Sequence, residues 1–267
     1  MSTQTALITG GSSGLGYAFA ELLGNQGFEI IILARNKERI DRAIGNLGNS
    51  NIKATGIICD VTDTGQLSQA AEQVKDRNLK IDFLILNAGT VSTKLLCDYA
   101  DATELKGDLE TDLWGTIQSA YFFVPLLASG SRVLMISSGF GLMGSAGYST
   151  YCAAKAGIIN FGESLRRELL NKHIGVYVTC PGDMDTPQFA GEIAGQPAWM
   201  REQSSPRKLM PVNIAAKRIL RQCSGKTKLL IIPSADVRLL IIVSKILPRK
   251  WKDRLLDRMF PRPMNPV

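Results

Sequence analysis

Ser138, Tyr151 and Lys155 stand at a spacing that can move a proton: thirteen residues separate Ser138 from Tyr151, and Lys155 follows the tyrosine by four. On a helix, residues four apart share a face one turn apart, so the Lys155 ammonium can lie beside the Tyr151 phenol and beside a bound ribose. A positive charge there favours the phenolate and lowers the tyrosine toward a working pH, which suits Tyr151 to act as a general acid. The chain has one histidine, His173, which removes mechanisms that need a histidine pair and conventional His-rich metal sites. It falls at the polar end of a helical pattern and reads as an exposed bystander. No metal is expected.

A second constellation, Thr9-Gly10-Gly11-Ser12-Ser13-Gly14-Leu15-Gly16, directly follows the first β-rich run and opens a helix. Glycines there let the backbone turn tightly and approach a pyrophosphate, whose charge meets the helix N–H groups and dipole. Gly10, Ser12, Ser13, Gly14, Leu15 and Gly16 are the expected contacts. The next strand ends Leu33-Ala34-Arg35-Asn36, where an NAD site usually presents Asp or Glu to the adenosine ribose. Arg35 instead can pair with a 2′-phosphate and stack on adenine, which favours NADP(H). The alternative is a solvated helix start shared with Lys37 and Arg39.

Apolar β-rich runs at Thr5–Thr9, Glu29–Ala34, Lys53–Cys59, Asp82–Asn87, Arg132–Ser137, Gly175–Cys180 and Leu229–Pro233 must position these residues. Helical periodicity fills the intervals at Tyr17–Asn25, Gln66–Arg77, Leu113–Leu127 and Ala153–Asn171. Several strands are nearly continuous Ile, Leu and Val, as in a parallel sheet covered on both faces. A doubly wound α/β sheet follows, as one domain over 1–233. The Pro-rich stretch 183–211 interrupts the alternation and reads as a loop or lid. Residues 234–267 form a helical extension rather than a second domain.

The 267 residues are 45% hydrophobic and 21% charged, the composition of a globular protein rather than a disordered or fibrous one. Five cysteines never form a CxxC pair, and no secretory leader precedes the first strand, so a reducing cytoplasmic setting is expected. The net charge of +7 is uneven: residues 201–267 carry 16 Lys and Arg against 4 Asp and Glu. No apolar run approaches the roughly 18 residues of a membrane span. Nucleic acid is not an expected partner, since the basic tail lacks a recognition module.

Taken together, the chain resembles the short-chain dehydrogenase/reductase family. The resemblance rests on Thr9-Gly10 with Gly14 and Gly16, Asp60-Val61, Asn87-Ala88-Gly89, Ser138, Tyr151 with Lys155, and Pro181-Gly182 with Thr186, in that family's order over about residues 5–233. It implies a single Rossmann-type domain with about seven parallel strands. It further implies that Asp60 contacts adenine, and that Asn87, Ala88 and Gly89 support the central strand and the cofactor. Ser138 would orient a substrate carbonyl, Tyr151 transfer the proton, and Lys155 bind the nicotinamide ribose while tuning the tyrosine. A homodimer or homotetramer is implied as well. One position departs: the family's Asn-x-x-Gly is Asp112-Leu113-Trp114-Gly115 here. Asp112 could still hold a relay water near Lys155, but its charge would oppose the phenolate and raise the tyrosine pKa.

A shorter stretch, Pro181 to Phe189, is similar to the Asp-x-Asp-Thr-Pro-x-Phe run of 3-ketodihydrosphingosine reductases, which reduce a long-chain keto base with NADPH. Within 249–260, Trp251, Leu255, Leu256, Met259 and Phe260 make an apolar stripe flanked by Arg249, Lys250, Lys252, Arg254 and Arg258. That pattern fits an interfacial helix on anionic lipid, or a helix docked on the body or on a second subunit. The expected function is an NADPH-dependent interconversion of ketone and secondary alcohol on an apolar or lipid-like substrate. Two alternatives stand beside it: a reductase of small soluble carbonyl compounds, and a non-catalytic NADPH-binding sensor or scaffold, which Asp112 motivates.

Overall fold

The computed structural model describes residues 3–203, 209–223 and 229–259. Its first part alternates β1 (Thr5–Thr9), α1 (Gly14–Gly24), β2 (Glu29–Ala34), α2 (Lys37–Asn49), β3 (Ala54–Ile58), α3 (Thr64–Asp76) and β4 (Ile81–Leu86). A helical stretch follows, made of α4 (Lys106–Asp108), a π-helical segment (Leu109–Trp114) and α5 (Gly115–Phe123). Then come β5 (Leu127–Ile136), α6 (Ser149–Glu168), β6 (Gly175–Thr179), β7 (Met184–Asp185), α7 (Pro187–Gly195) and α8 (Ala198–Gln203). The chain continues through β8 (Met210–Pro211), α9 (Val212–Gln222), β9 (Leu230–Ile231), α10 (Ala235–Ile246) and α11 (Arg249–Met259).

Seven strands form one parallel sheet in the order β3-β2-β1-β4-β5-β6-β9, while β7 and β8 pair apart. Alternate strand residues feed two cores. Ala6, Ile8, Ile30 and Ile32 pack with Phe19 of α1 and with Ala215 and Ile219 of α9 on one face. Leu7, Ile31 and Leu33 pack with Leu67 of α3, Phe123 of α5 and Ile158 of α6 on the other. Both faces are therefore apolar, which is why these strands lack hydrophobic alternation. Each fully buried Leu, Ile or Phe contributes about 1.5–3 kcal/mol. The order reverses between β1 and β4, so a cleft opens beyond their C-terminal ends, where sheets of this kind bind ligands.

Two boundaries differ from the sequence reading. The helix expected over 113–127 ends at Phe123, because Pro125 cannot continue it and Leu127 already pairs with Ile81 at the start of a longer β5. The stretch 183–211 is not a plain loop. Thr186 caps α7 by accepting from the Phe189 N–H at 3.2 Å, and Pro187 occupies the first turn, a start signal that its proline count obscured. Residues 204–208 of this stretch, and Phe260 of the C-terminal stripe, lie outside the described residues.

The extension places α10 against the body through Val237 and the buried Ile241, while Leu239, Ile242 and Ile246 face solvent. No residue of α11 is fully buried; Trp251 is 60% exposed while Leu255 and Leu256 are half-buried, so the described part of this stripe is only partly covered by its own chain. Among the described residues no helix is long and apolar enough to cross a membrane.

Candidate active site

The turn after β1 and the turn after β4 are tied directly across the switch point. Thr9 Oγ1 accepts from the N–H groups of Asn87 and Ala88 at 2.9 and 3.0 Å, and Asn87 Nδ2 donates to the Thr9 carbonyl at 3.0 Å. Helix α1 begins at Gly14 without a side-chain cap from Ser13, so its first N–H groups are left facing the cleft. Gly16 lies behind them, where an added Cβ would come within 2.4 Å of the Gly10 carbonyl oxygen. An uncapped helix start on a turn this close is the cradle a pyrophosphate requires, and the residues present fit a dinucleotide.

One cleft brings together Gly10, Ser12, Ser13, Gly14, Leu15, Arg35, Val61, Asn87, Ala88, Gly89, Ser138, Tyr151, Lys155, Pro181, Gly182 and Thr186. Three residues singled out from the sequence stand behind its wall. Gly16 serves close packing. Asp60 holds the Thr62 N–H and hydroxyl and lies 3.7 Å from the Arg35 guanidinium. Asp112 is fully buried beneath Lys155. Arg39 also lines the cleft, and so do Phe140, Met184, Phe189 and Glu192, which sequence patterns did not single out. Arg39 was legible only as part of a charged helix start, and Met184 and Phe189 only as members of the Pro181 to Phe189 run. His173 is exposed, in a left-handed turn after α6.

The catalytic candidates converge from three elements. Ser138 follows β5, its Oγ accepting from the Phe140 N–H at 3.2 Å, and its hydroxyl acts on the Tyr151 phenol to favour the charged form. Tyr151 and Lys155 rise from one face of α6. Lys155 Nζ sits 5.4 Å from the Tyr151 ring centre, donates to the Ile136 carbonyl at 3.2 Å and lies 3.0 Å from Asp112 Oδ2. That last contact is an ion pair without good hydrogen-bond alignment. Asp112 Oδ1 accepts from the Thr90 N–H at 2.7 Å, joining the π-helical segment to the turn after Gly89.

The sequence sets Lys155, which would lower Tyr151, against Asp112, which would raise it, and the raising side prevails here. Tyr151 is pushed well above the usual phenol value, first by burial and then by the Asp112 carboxylate, against the pull of the Ser138 hydrogen bond. The Lys155 charge that was to lower it is answered by Asp112 instead. Burial likewise raises the Asp112 carboxyl, while Lys155 and the Thr90 N–H hold it down. Burial and Asp112 thus favour the protonated form of the Tyr151 phenol, which stands beside Ser138 in the cleft.

Residues 4–196 match the short chain dehydrogenase family. The 3-oxoacyl-[acyl-carrier-protein] reductase of Escherichia coli is 34% identical over 205 residues, covering 73% of this chain and 82% of that protein. Among solved structures, a short chain dehydrogenase/reductase from Burkholderia phymatum in complex with NAD aligns with a TM-score of 0.79 at 19% identity, covering 100% of this chain and 99% of that one. A short chain dehydrogenase from Burkholderia cenocepacia in complex with NADP aligns at 0.74 and 23%, covering 88% and 98%. At those identities the two structures speak to the fold.

Proposed function

The chain belongs to the short chain dehydrogenase family, and on that premise we propose that it is an NADP(H)-dependent oxidoreductase interconverting a ketone and a secondary alcohol, acting on an apolar substrate. The observation that carries this reading is the meeting of Ser138, a protonated Tyr151 and Lys155 in the cleft that also holds the glycine turn. A bound nicotinamide supplies or accepts the hydride at the carbonyl carbon. The chain's own groups do the rest: Ser138 orients the carbonyl oxygen, the Tyr151 hydroxyl gives it a proton, and Lys155, its ammonium held by Asp112, would hold the nicotinamide ribose.

The preference for NADP(H) is supported by Arg35 and Arg39, which line the cleft beside the end of β2; Arg35 is largely exposed and only loosely paired with Asp60. An apolar substrate is supported by Phe140, which packs near Tyr151, and by Met184 and Phe189, which line the same cleft. A long-chain keto base is one member of that class and draws its support from the Pro181 to Phe189 stretch alone. The exposed faces of α10 and α11 favour a lipid surface as the place where such a substrate is met, and the exposed Trp114 and Tyr121 leave an apolar face for a second copy of the chain.

The test is NADPH oxidation over a series of ketones of increasing chain length, with and without anionic vesicles. Wild type should turn over with a rate that rises with chain length. Tyr151→Phe should lose nearly all turnover, on the order of 100-fold or more, while binding NADPH as before. Substantial turnover by Tyr151→Phe would remove the general acid from the scheme. Rates independent of chain length would point to small soluble carbonyl compounds, and tight NADPH binding without reduction of any ketone to a sensor or scaffold.

A further inference from the structure

Tyr148 lies one turn before Tyr151, at the cap of α6, and touches three parts of the site at once. Its ring packs on Phe140 with centres 4.7 Å apart and stands 6.3 Å from the Tyr151 ring. Its hydroxyl donates to Glu192 Oε1 on α7 at 2.6 Å and accepts from Gln196 Nε2, at the end of α7, at 2.9 Å. The side chain is 4% exposed, so both bonds are shielded from water. Beside it, Gly147 adopts φ 80°, and an added Cβ there would lie 2.4 Å from Met200 Cε of α8. Both helices that follow β7 thus rest on the Gly147–Tyr148 turn, and Trp199 packs on the same cluster as Met200, Tyr148 and Cys152.

We propose that Tyr148 is a positioning residue that latches α7 and α8 over the substrate side of the cleft, so that its hydroxyl governs how tightly a ketone is held against Ser138 and Tyr151. Glu192 lines the cleft while it accepts from Tyr148, so the latch joins the substrate wall to the catalytic helix. Phe140 and Tyr151, which flank the Tyr148 ring, face the same space. The hydroxyl makes no bond to the cofactor side, where Arg35 and the glycine turn lie, so its loss should act on substrate and leave the dinucleotide untouched.

The kinetic arm rests on the ketone-reductase reading; the optical arm does not. Tyr148→Phe removes the hydroxyl and keeps the ring against Phe140. It should raise KM for the ketone roughly 5- to 30-fold, as expected for losing shielded hydrogen bonds, with a much smaller change in kcat and unchanged NADPH affinity. Glu192→Ala should do the same, and the double variant should be no worse than the more severe single one, since both break one latch. In a Trp114→Phe/Trp251→Phe background Trp199 is the remaining tryptophan, and acrylamide should quench it more readily once Tyr148 is Phe. Unchanged KM with unchanged quenching overturns the proposal, as does a fall in kcat alone, which would assign Tyr148 to the chemistry. If wild type reduces no ketone, the functional reading falls and Trp199 quenching alone decides the latch.

Discussion

At the scale of single residues, the acid strength of Tyr151 answers first to its burial and then to Asp112. The carboxylate is second only to burial in holding the Tyr151 phenol above its usual value. As the proton donor in reduction, Tyr151 is competent below its pKa and fails as pH rises through it; in alcohol oxidation the phenolate is needed and the sign reverses. Asp112→Asn removes the nearby negative charge and keeps an oxygen for the Thr90 N–H, so the kinetic pKa should fall. Oxidation near neutral pH should then speed up, and the alkaline decline of reduction should begin at lower pH. An unchanged pH–rate profile would place Asp112 outside the proton path. Arg35 makes a separate prediction: Arg35→Ala should weaken NADPH by about 1.5–3 kcal/mol and NADH far less, because it removes one charge-assisted phosphate contact. Equal affinity of wild type for both cofactors, measured by fluorescence titration, would end that argument. The residues of chemistry were legible because each needs a fixed type at a fixed spacing. The sense of Asp112's effect on Tyr151 was legible too, but its direct pairing with Lys155 was not, since that depends on a π-helical turn that buries the carboxylate completely.

Elements show the same division between pattern and contact. Glycines Gly16 and Gly45 both sit in helices and look alike in sequence, yet their surroundings differ. A methyl at Gly16 would collide with the backbone oxygen of Gly10, whereas one at Gly45, on the exposed side of α2, meets nothing within 4 Å. Gly45→Ala should therefore stabilise the protein by about 0.5–1 kcal/mol through helix propensity. Gly16→Ala should destabilise it by about 1–3 kcal/mol through overpacking, and weaken dinucleotide binding by moving the turn. Thermal denaturation with and without NADPH reads both. Strands β1, β2, β4 and β6 were plain in the sequence because both faces are buried and their apolar runs are unbroken. The first half of β5 was hidden, since Leu127–Gly130 is partly exposed and carries Ser129 and Gly130. Helix α7 was hidden by the same proline that starts it.

For the molecule as a whole, positive charge is concentrated toward one end of the chain, where exposed apolar side chains accompany it. The last 67 residues carry 16 basic side chains against 4 acidic ones, while the preceding 200 carry more acid than base. The same region exposes Leu239, Ile242 and Ile246 on α10 and Trp251 and Met259 on α11. The inner face of α10 meets Gly139 and Gly182, beside Ser138 and the cleft, through Val237. A surface bound to the outer face would therefore lie one helix away from the catalytic loops. An anionic bilayer matches both properties, with each basic residue near it contributing about 1 kcal/mol, screened by salt, and the apolar face adding a part that salt does not remove. Wild type should co-sediment more strongly with anionic vesicles than with neutral ones, and high salt should bring the anionic binding down toward the neutral level without abolishing it. A chain ending at Pro248 keeps the α10 face and loses the basic helix, so it should lose its preference for anionic lipid. Replacing Leu239, Ile242 and Ile246 by Ser in the full chain should instead remove the salt-resistant part. Equal sedimentation with both vesicle types would remove the electrostatic part of this reading, and a change of oligomeric state on truncation with no vesicle binding at all would assign these helices to contact between subunits.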